Sequence, residues 1–187
     1  AAERLFEKPL VRLRELGLVK ERGRQRSDST QVLAAIRTLN RLELVGESLR
    51  AALNQVAIEG RGWLTSWVPV AWFDRYSSRI EEAKLPSQES ERQQLVVTIG
   101  EDGYQLLRAL LAPDAPAYLQ ALPAVQVLWQ IWIQQYEQVE GTVRWRAAGN
   151  LPPGERMLNS PYDPQARFSR KRQTTWTGYK VHLTESC

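Results

Sequence analysis

Two arginine-rich runs are the residues of this chain best equipped to meet a phosphate. Lys20, Arg22, Arg24 and Arg26 put four cations into seven residues, and Arg170-Lys171-Arg172, preceded by Arg167 and followed by Lys180, forms a second group. A guanidinium offers a planar fork of donors that matches two phosphate oxygens at once, so runs dominated by arginine suit phosphodiester contact better than lysine runs. Neither run is interleaved with enough aromatic residues to suggest stacking on unpaired bases. Directly after the first run stands Ser27-Asp28-Ser29-Thr30, short polar residues that suit a strand end or a helix N-cap. Asp163, beside Pro164, reads as a turn initiator, and Glu185 as a solvated carboxylate. His182 and Cys187 are the single histidine and the single cysteine. Their solitude excludes a two-histidine metal site, a thiolate cluster and an internal disulfide.

The charge that surrounds these residues is laid down in blocks. The chain has 187 residues and a formal net charge of +4. That sum conceals +5 over residues 1–80, −6 over 81–140 and +5 over 141–187. If the two basic ends meet in the fold, they form one positive surface, and nucleic acid is the commonest polyanion for such a surface to attract. A hydrophobic share of 43% is that of a globular domain rather than a disordered chain. No stretch reaches the roughly 20 apolar residues of a membrane helix, and no charged-then-apolar leader opens the sequence. Ala1, not methionine, stands first, so a piece of something longer is expected.

The elements that must position the basic runs are mostly helices. Pro9, the leucines Leu10, Leu13 and Leu16, and Gly17 predict a short capped helix over 9–16. Leu33, Ile36, Leu39, Leu42, Val45, Leu49, Leu53 and Val56 recur at three- and four-residue steps and predict a helix over about 31–57, with Arg37, Arg41, Glu43, Glu47 and Arg50 on its wet side and Gly46 a small cost. Further helices are expected over 69–83, from Pro86-Ser87 through Leu111, in a turn over 114–121, and from Pro123 to Tyr136. The tryptophans fall at helical spacing among leucines and read as packing. An extended passage follows over 150–164, through Pro152-Pro153-Gly154 and Ser160-Pro161-Tyr162-Asp163-Pro164. From Thr174 the residues alternate as in a strand with one buried and one wet face, Tyr179, Val181 and Leu183 against Lys180, His182 and Thr184. Nothing after this strand can pair with it, so an unfinished sheet is expected.

Taken together, three passages carry a resemblance. Arg24-Gln25-Arg26-Ser27-Asp28-Ser29-Thr30 with Val32-Leu33-Ala34-Ala35-Ile36-Arg37 resembles the segment around the first catalytic aspartate of bacterial insertion-sequence transposases, the DDE enzymes with an RNase H-like core. Ser160-Pro161-Tyr162-Asp163-Pro164 with Arg167 and Lys171, then Trp176-Thr177-Gly178-Tyr179-Lys180-Val181-His182-Leu183-Thr184-Glu185, resembles their next core strand. The helical stretch between them is similar to an insertion carried by one subgroup.

The resemblance implies an α+β fold, with a mostly helical insertion inside an incomplete RNase H-like core: the end of an N-terminal region and the first core strand over 1–30, the insertion over 31–150, and an extended linker and second core strand over 151–187. It also implies metal-dependent DNA strand cleavage and transfer, in which three carboxylates hold two magnesium ions, hard cations that prefer oxygen ligands. Asp28 alone matches a position of that triad. The resemblance therefore implies a partial or inactive fragment that keeps affinity for double-stranded DNA. Arg22, Arg24, Arg26, Arg167, Arg170, Lys171, Arg172 and Lys180 are the candidate contacts. Its partners would be DNA, a second copy or an intact transposase, with no membrane and no small-molecule cofactor, in the bacterial cytoplasm on the nucleoid. Two other readings stay open: a helical interaction protein offering a tryptophan-lined groove, and a small DNA-binding regulator that blocks an intact relative.

Overall fold

The computed structural model describes residues 11–17, 25–33, 40–81, 84–171 and 174–186. The fold is α+β: among the described residues stand a helical turn over 11–15, within the short helix expected over 9–16, five further α-helices and two small sheets. Contacts divide the chain into two compact units, residues 1–32 with 179–187, and residues 33–178. No described helix is long and apolar enough to cross a membrane.

The larger unit is built on helix α1, Arg41–Glu59. It begins ten residues later than the leucine spacing predicts, because Asn40 closes a capping box. Its side chain accepts from the Glu43 amide at 2.8 Å, and the Glu43 carboxylate accepts from the Asn40 amide at 3.1 Å. Both bonds satisfy amides that the first helical turn leaves without partners. Upstream, Leu33 closes strand β1, Gln25–Leu33, so the helical spacing over 33–39 does not belong to α1. Leu42, Val45, Leu49, Ala52, Leu53 and Val56 are buried as expected, but Glu43 and Glu47, assigned to the wet side, are buried as well.

Two short helices follow, α2 at Arg61–Trp67 and α3 at Ala71–Tyr76. The helix expected over 69–83 stops at Tyr76, and the amide of Ile80 donates instead to Glu47 Oε1 at 2.8 Å. Trp63, Trp67, Trp72 and Tyr76 meet edge to face in a chain, with centroids 5.4, 5.9 and 6.0 Å apart. That geometry sets the positive edge of one ring against the negative face of the next.

Helix α4, Glu89–Leu110, packs against α1 and against α5, Pro123–Gln135. Pro123 sits in the first turn of α5, where its missing amide costs nothing. Gly100 and Gly103, which interrupt the apolar pattern of α4, are the points of closest approach. A Cβ on Gly103 would overlap the Trp132 indole, and one on Gly100 would overlap the Tyr136 ring. Into the space so left, Trp132 Nε1 donates to the Gly100 carbonyl at 3.1 Å and Tyr136 Oη donates to the Val96 carbonyl at 2.9 Å.

Tyr136 then opens a hairpin that the sequence reading did not anticipate, β2 at Tyr136–Val139 and β3 at Thr142–Trp145. Glu140 (φ 51°) and Gly141 (φ 78°) form its two-residue turn. Two consecutive left-handed residues match the right-handed twist of the flanking strands. Trp145 packs on Tyr136 with centroids 5.0 Å apart, and the Arg41 guanidinium lies 4.2 Å over the Trp145 ring.

Strands β4, Arg167–Lys171, and β5, Thr174–Ser186, complete the chain. The three-stranded sheet has the order β1-β5-β4. Strand β5, expected to lack partners because none follow it, takes both from earlier in the sequence. It is the central strand.

Candidate nucleic-acid interface

The described basic residues of the second run lie on the β4–β5 ladder of the larger unit. Arg167 faces Gly178, Phe168 faces Thr177, Ser169 faces Trp176 and Arg170 faces Thr175 in an antiparallel register. Side chains alternate across a strand, so Phe168 and Arg170 share one face with Thr177 and Thr175. Trp176 and Gly178 are buried on the other face, whereas Phe168, Arg170 and Thr175 are exposed. Arg167 is half-buried and turned back on its own approach: its guanidinium donates to the carbonyls of Pro164 and Ala166. Of the two described arginines in this run, Arg170 is the one that reaches the wet face. Lys171 ends β4, and Arg172 lies outside the described residues.

The passage leading into β4 is clamped to the helices. Ser160 is buried, and its Oγ accepts from the Tyr162 amide at 3.1 Å. Asp163 Oδ1 accepts from the amides of Gln165 and Ala166 at 3.2 and 3.1 Å, the turn-initiating role expected of it. The Tyr162 hydroxyl reaches back to α1, donating to Glu47 Oε2 and accepting from Arg50 Nη2 at 2.7 Å. Arg50 also grips Glu47 with two bonds of 2.8 and 3.0 Å. Burial by itself would raise the Glu47 pKa, but the bonds from Arg50, Tyr162 and the Ile80 amide outweigh it and hold the carboxyl below its usual range. Burial and the hydrogen bond to Glu47 push the Tyr162 hydroxyl up.

In the smaller unit, β1 carries Arg26 and Asp28, and its neighbour β5 carries Lys180. Asp28 sits inside the strand, twelve residues before Asn40, so the capping alternative for it is overturned: the cap of α1 is Asn40. Ser29 and Thr30, which suit a strand end or a helix cap, are likewise strand residues. Arg22 and Arg24 lie outside the described residues.

Among the described residues, no group of three or more histidines, cysteines, aspartates or glutamates stands together as a metal site. A pair of magnesium ions needs several shared oxygen ligands. Among the described residues, Asp28 is the one carboxylate matched to that triad and does not by itself complete the set.

Two residues beside the ladder escaped the sequence reading. Arg156 is exposed in the 3₁₀ turn Gly154–Arg156, which packs against β4, and Phe168 is exposed between the two arginines of that strand. The signal for Phe168 was its place in a run that alternates once a strand is granted there. No known protein family, curated protein or solved structure matches the chain.

Proposed function

We propose that this chain belongs to the DNA strand-transfer machinery of the DDE transposases and that its own residues bind double-stranded DNA, with Asp28 as one carboxylate toward magnesium. The observation that carries this reading is the pairing of two distant passages. The strand holding Ser27-Asp28-Ser29-Thr30 and the strand holding Gly178-Tyr179-Lys180-Val181-His182 are neighbours in one sheet although the whole helical stretch separates them in sequence. The resemblance makes them the first and the next core strand, and nothing in helix or strand propensity demands that they meet. Arg170 on an exposed strand face supports the phosphate-binding half of the reading. The second reading, a docking groove in the tryptophan-rich unit, keeps its own support: Trp63, Trp67, Trp129 and Trp145 are only half-buried, and Leu53, Leu64, Trp72, Phe73 and Tyr76 line an apolar pocket.

The test is binding of labelled duplex DNA to the full chain, followed by fluorescence anisotropy across salt. Contacts with about four phosphates give a log–log slope of roughly −3.6, a loss on the order of 100-fold between about 50 and 200 mM salt. Affinity that stays flat over that range overturns the reading. Asp28→Asn lowers magnesium affinity, read by calorimetric titration, only where further carboxylates complete the site. Added to an intact transposase, the chain lowers strand transfer if it competes for DNA ends or forms mixed oligomers.

A further inference from the structure

The outer face of the β4–β5 ladder combines three features that duplex binding does not use together. Phe168 is a large apolar ring left 37% exposed. It is fixed along one edge: a Cβ built on Gly154 would stand 3.1 Å from Phe168 Cδ1, so the backbone of the Gly154–Arg156 turn lies against the ring. Around it stand Arg170 on the same strand face, the hydroxyls of Thr175 and Thr177 opposite, and exposed Arg156 on the adjoining turn. An exposed aromatic on a sheet, held in place and flanked by cations, is the arrangement by which proteins stack a base and hold its phosphates.

We infer that this face takes one unpaired nucleotide of a DNA strand, its base against Phe168 and its flanking phosphates on Arg156 and Arg170. The inference rests on the DNA-binding reading above and adds to it a preference for a single-stranded end or an extruded base. Apolar exposure alone does not choose the occupant. The charge complementarity of two arginines with phosphate does, and the threonine hydroxyls supply bonds for a base edge.

The test compares a blunt duplex with the same duplex carrying a short single-stranded 3′ overhang, titrated by anisotropy against the full wild-type chain, F168A, F168L and F168W. The expected result is tighter binding of the overhang by wild type. F168A and F168L should lose about tenfold on the overhang, with blunt-duplex affinity unchanged, and F168W should keep the preference. Leucine preserves the apolar packing and removes only the π-face, so a fault in folding and a loss of stacking are told apart. Equal affinity of wild type for both DNAs, or an F168L loss that is the same on both, overturns this inference while leaving duplex binding intact. Absence of binding to either DNA overturns the duplex reading, and this one with it.

Discussion

Replacing Glu47 by glutamine keeps the size of the side chain and removes its charge from the centre of the clamp. Glu47 is 3% exposed and makes four hydrogen bonds, two with Arg50, one with Tyr162 and one with the Ile80 amide. In the glutamine variant an amide NH₂ replaces one acceptor oxygen and faces donors. Removing one partner of a buried pair costs about 3–5 kcal/mol. The Arg50 side chain stays 15% accessible and can recruit water, which places the expected loss near the lower end, about 3 kcal/mol. At about 2–4 °C per kcal/mol for a unit of this size, Tm falls by roughly 6–12 °C. Urea unfolding followed by tryptophan fluorescence reads the loss directly.

The pH dependence has a definite sign. The folded carboxyl titrates below its ordinary value, so the unfolded chain takes up the proton first as the solution is acidified. The stabilisation is complete above the unfolded value of about 4.3 and is lost as pH falls through the lower folded one. The gap between wild type and E47Q therefore holds constant at neutral pH and narrows in acid. A loss under about 1 kcal/mol, or a gap that does not narrow in acid, would refute the reasoning. A double-mutant cycle with Y162F should give a coupling of about 1 kcal/mol or more, because both side chains share one network.

Three further outcomes follow from the fold. Asn40→Ala removes the capping-box acceptor of α1 and should cost about 1 kcal/mol in the same urea assay. Gly103→Ala forces a methyl group into the Trp132 indole. The overpacking should cost about 1–3 kcal/mol and change the near-ultraviolet circular dichroism of the tryptophans. Tyr76→Phe removes the hydroxyl that donates to buried Asp102 at 2.7 Å, a loss of about 1.5–3 kcal/mol for a bond to a charged acceptor. Burial first, and then Asp102, push the Tyr76 ionisation far upward, so Y76F leaves the absorbance change of an alkaline titration below the unfolding pH the same as wild type.

The α+β class was legible in the sequence, as were α5, which Pro123 announces, and the start of β5 at Thr174. These signals are local. The start of α1 was not read correctly because Leu33, Ile36 and Leu39 continue the helical spacing upstream; the decisive pair was Asn40 and Glu43, three residues apart. The hairpin over 136–145 was hidden by its apolar rings, which extend the pattern of α5, although the Glu140-Gly141 dipeptide marked the turn. Strand β4 was missed because Arg167, Arg170 and Lys171 look like a solvated run, whereas an outermost strand in a sheet commonly bears such charges. Buried Glu47 could not be found by any periodicity. Its partners Tyr162 and Ile80 lie 115 and 33 residues away, and only the tertiary fold brings them to it.

The register of β4 against β5 has a consequence for which length changes the chain tolerates. Trp176 is buried opposite Ser169, and Thr175 is exposed opposite Arg170. One residue inserted between Thr174 and Trp176 would reverse that parity, turning the indole to water and a threonine into the core, unless a bulge absorbed it. A two-residue insertion keeps the parity and shifts only the pairing. The loop over 111–116 is not subject to such an odd–even rule, since it joins a helix to a 3₁₀ turn rather than one strand to its partner. Homologous chains should therefore vary freely in length at that loop, and only in even steps within the ladder.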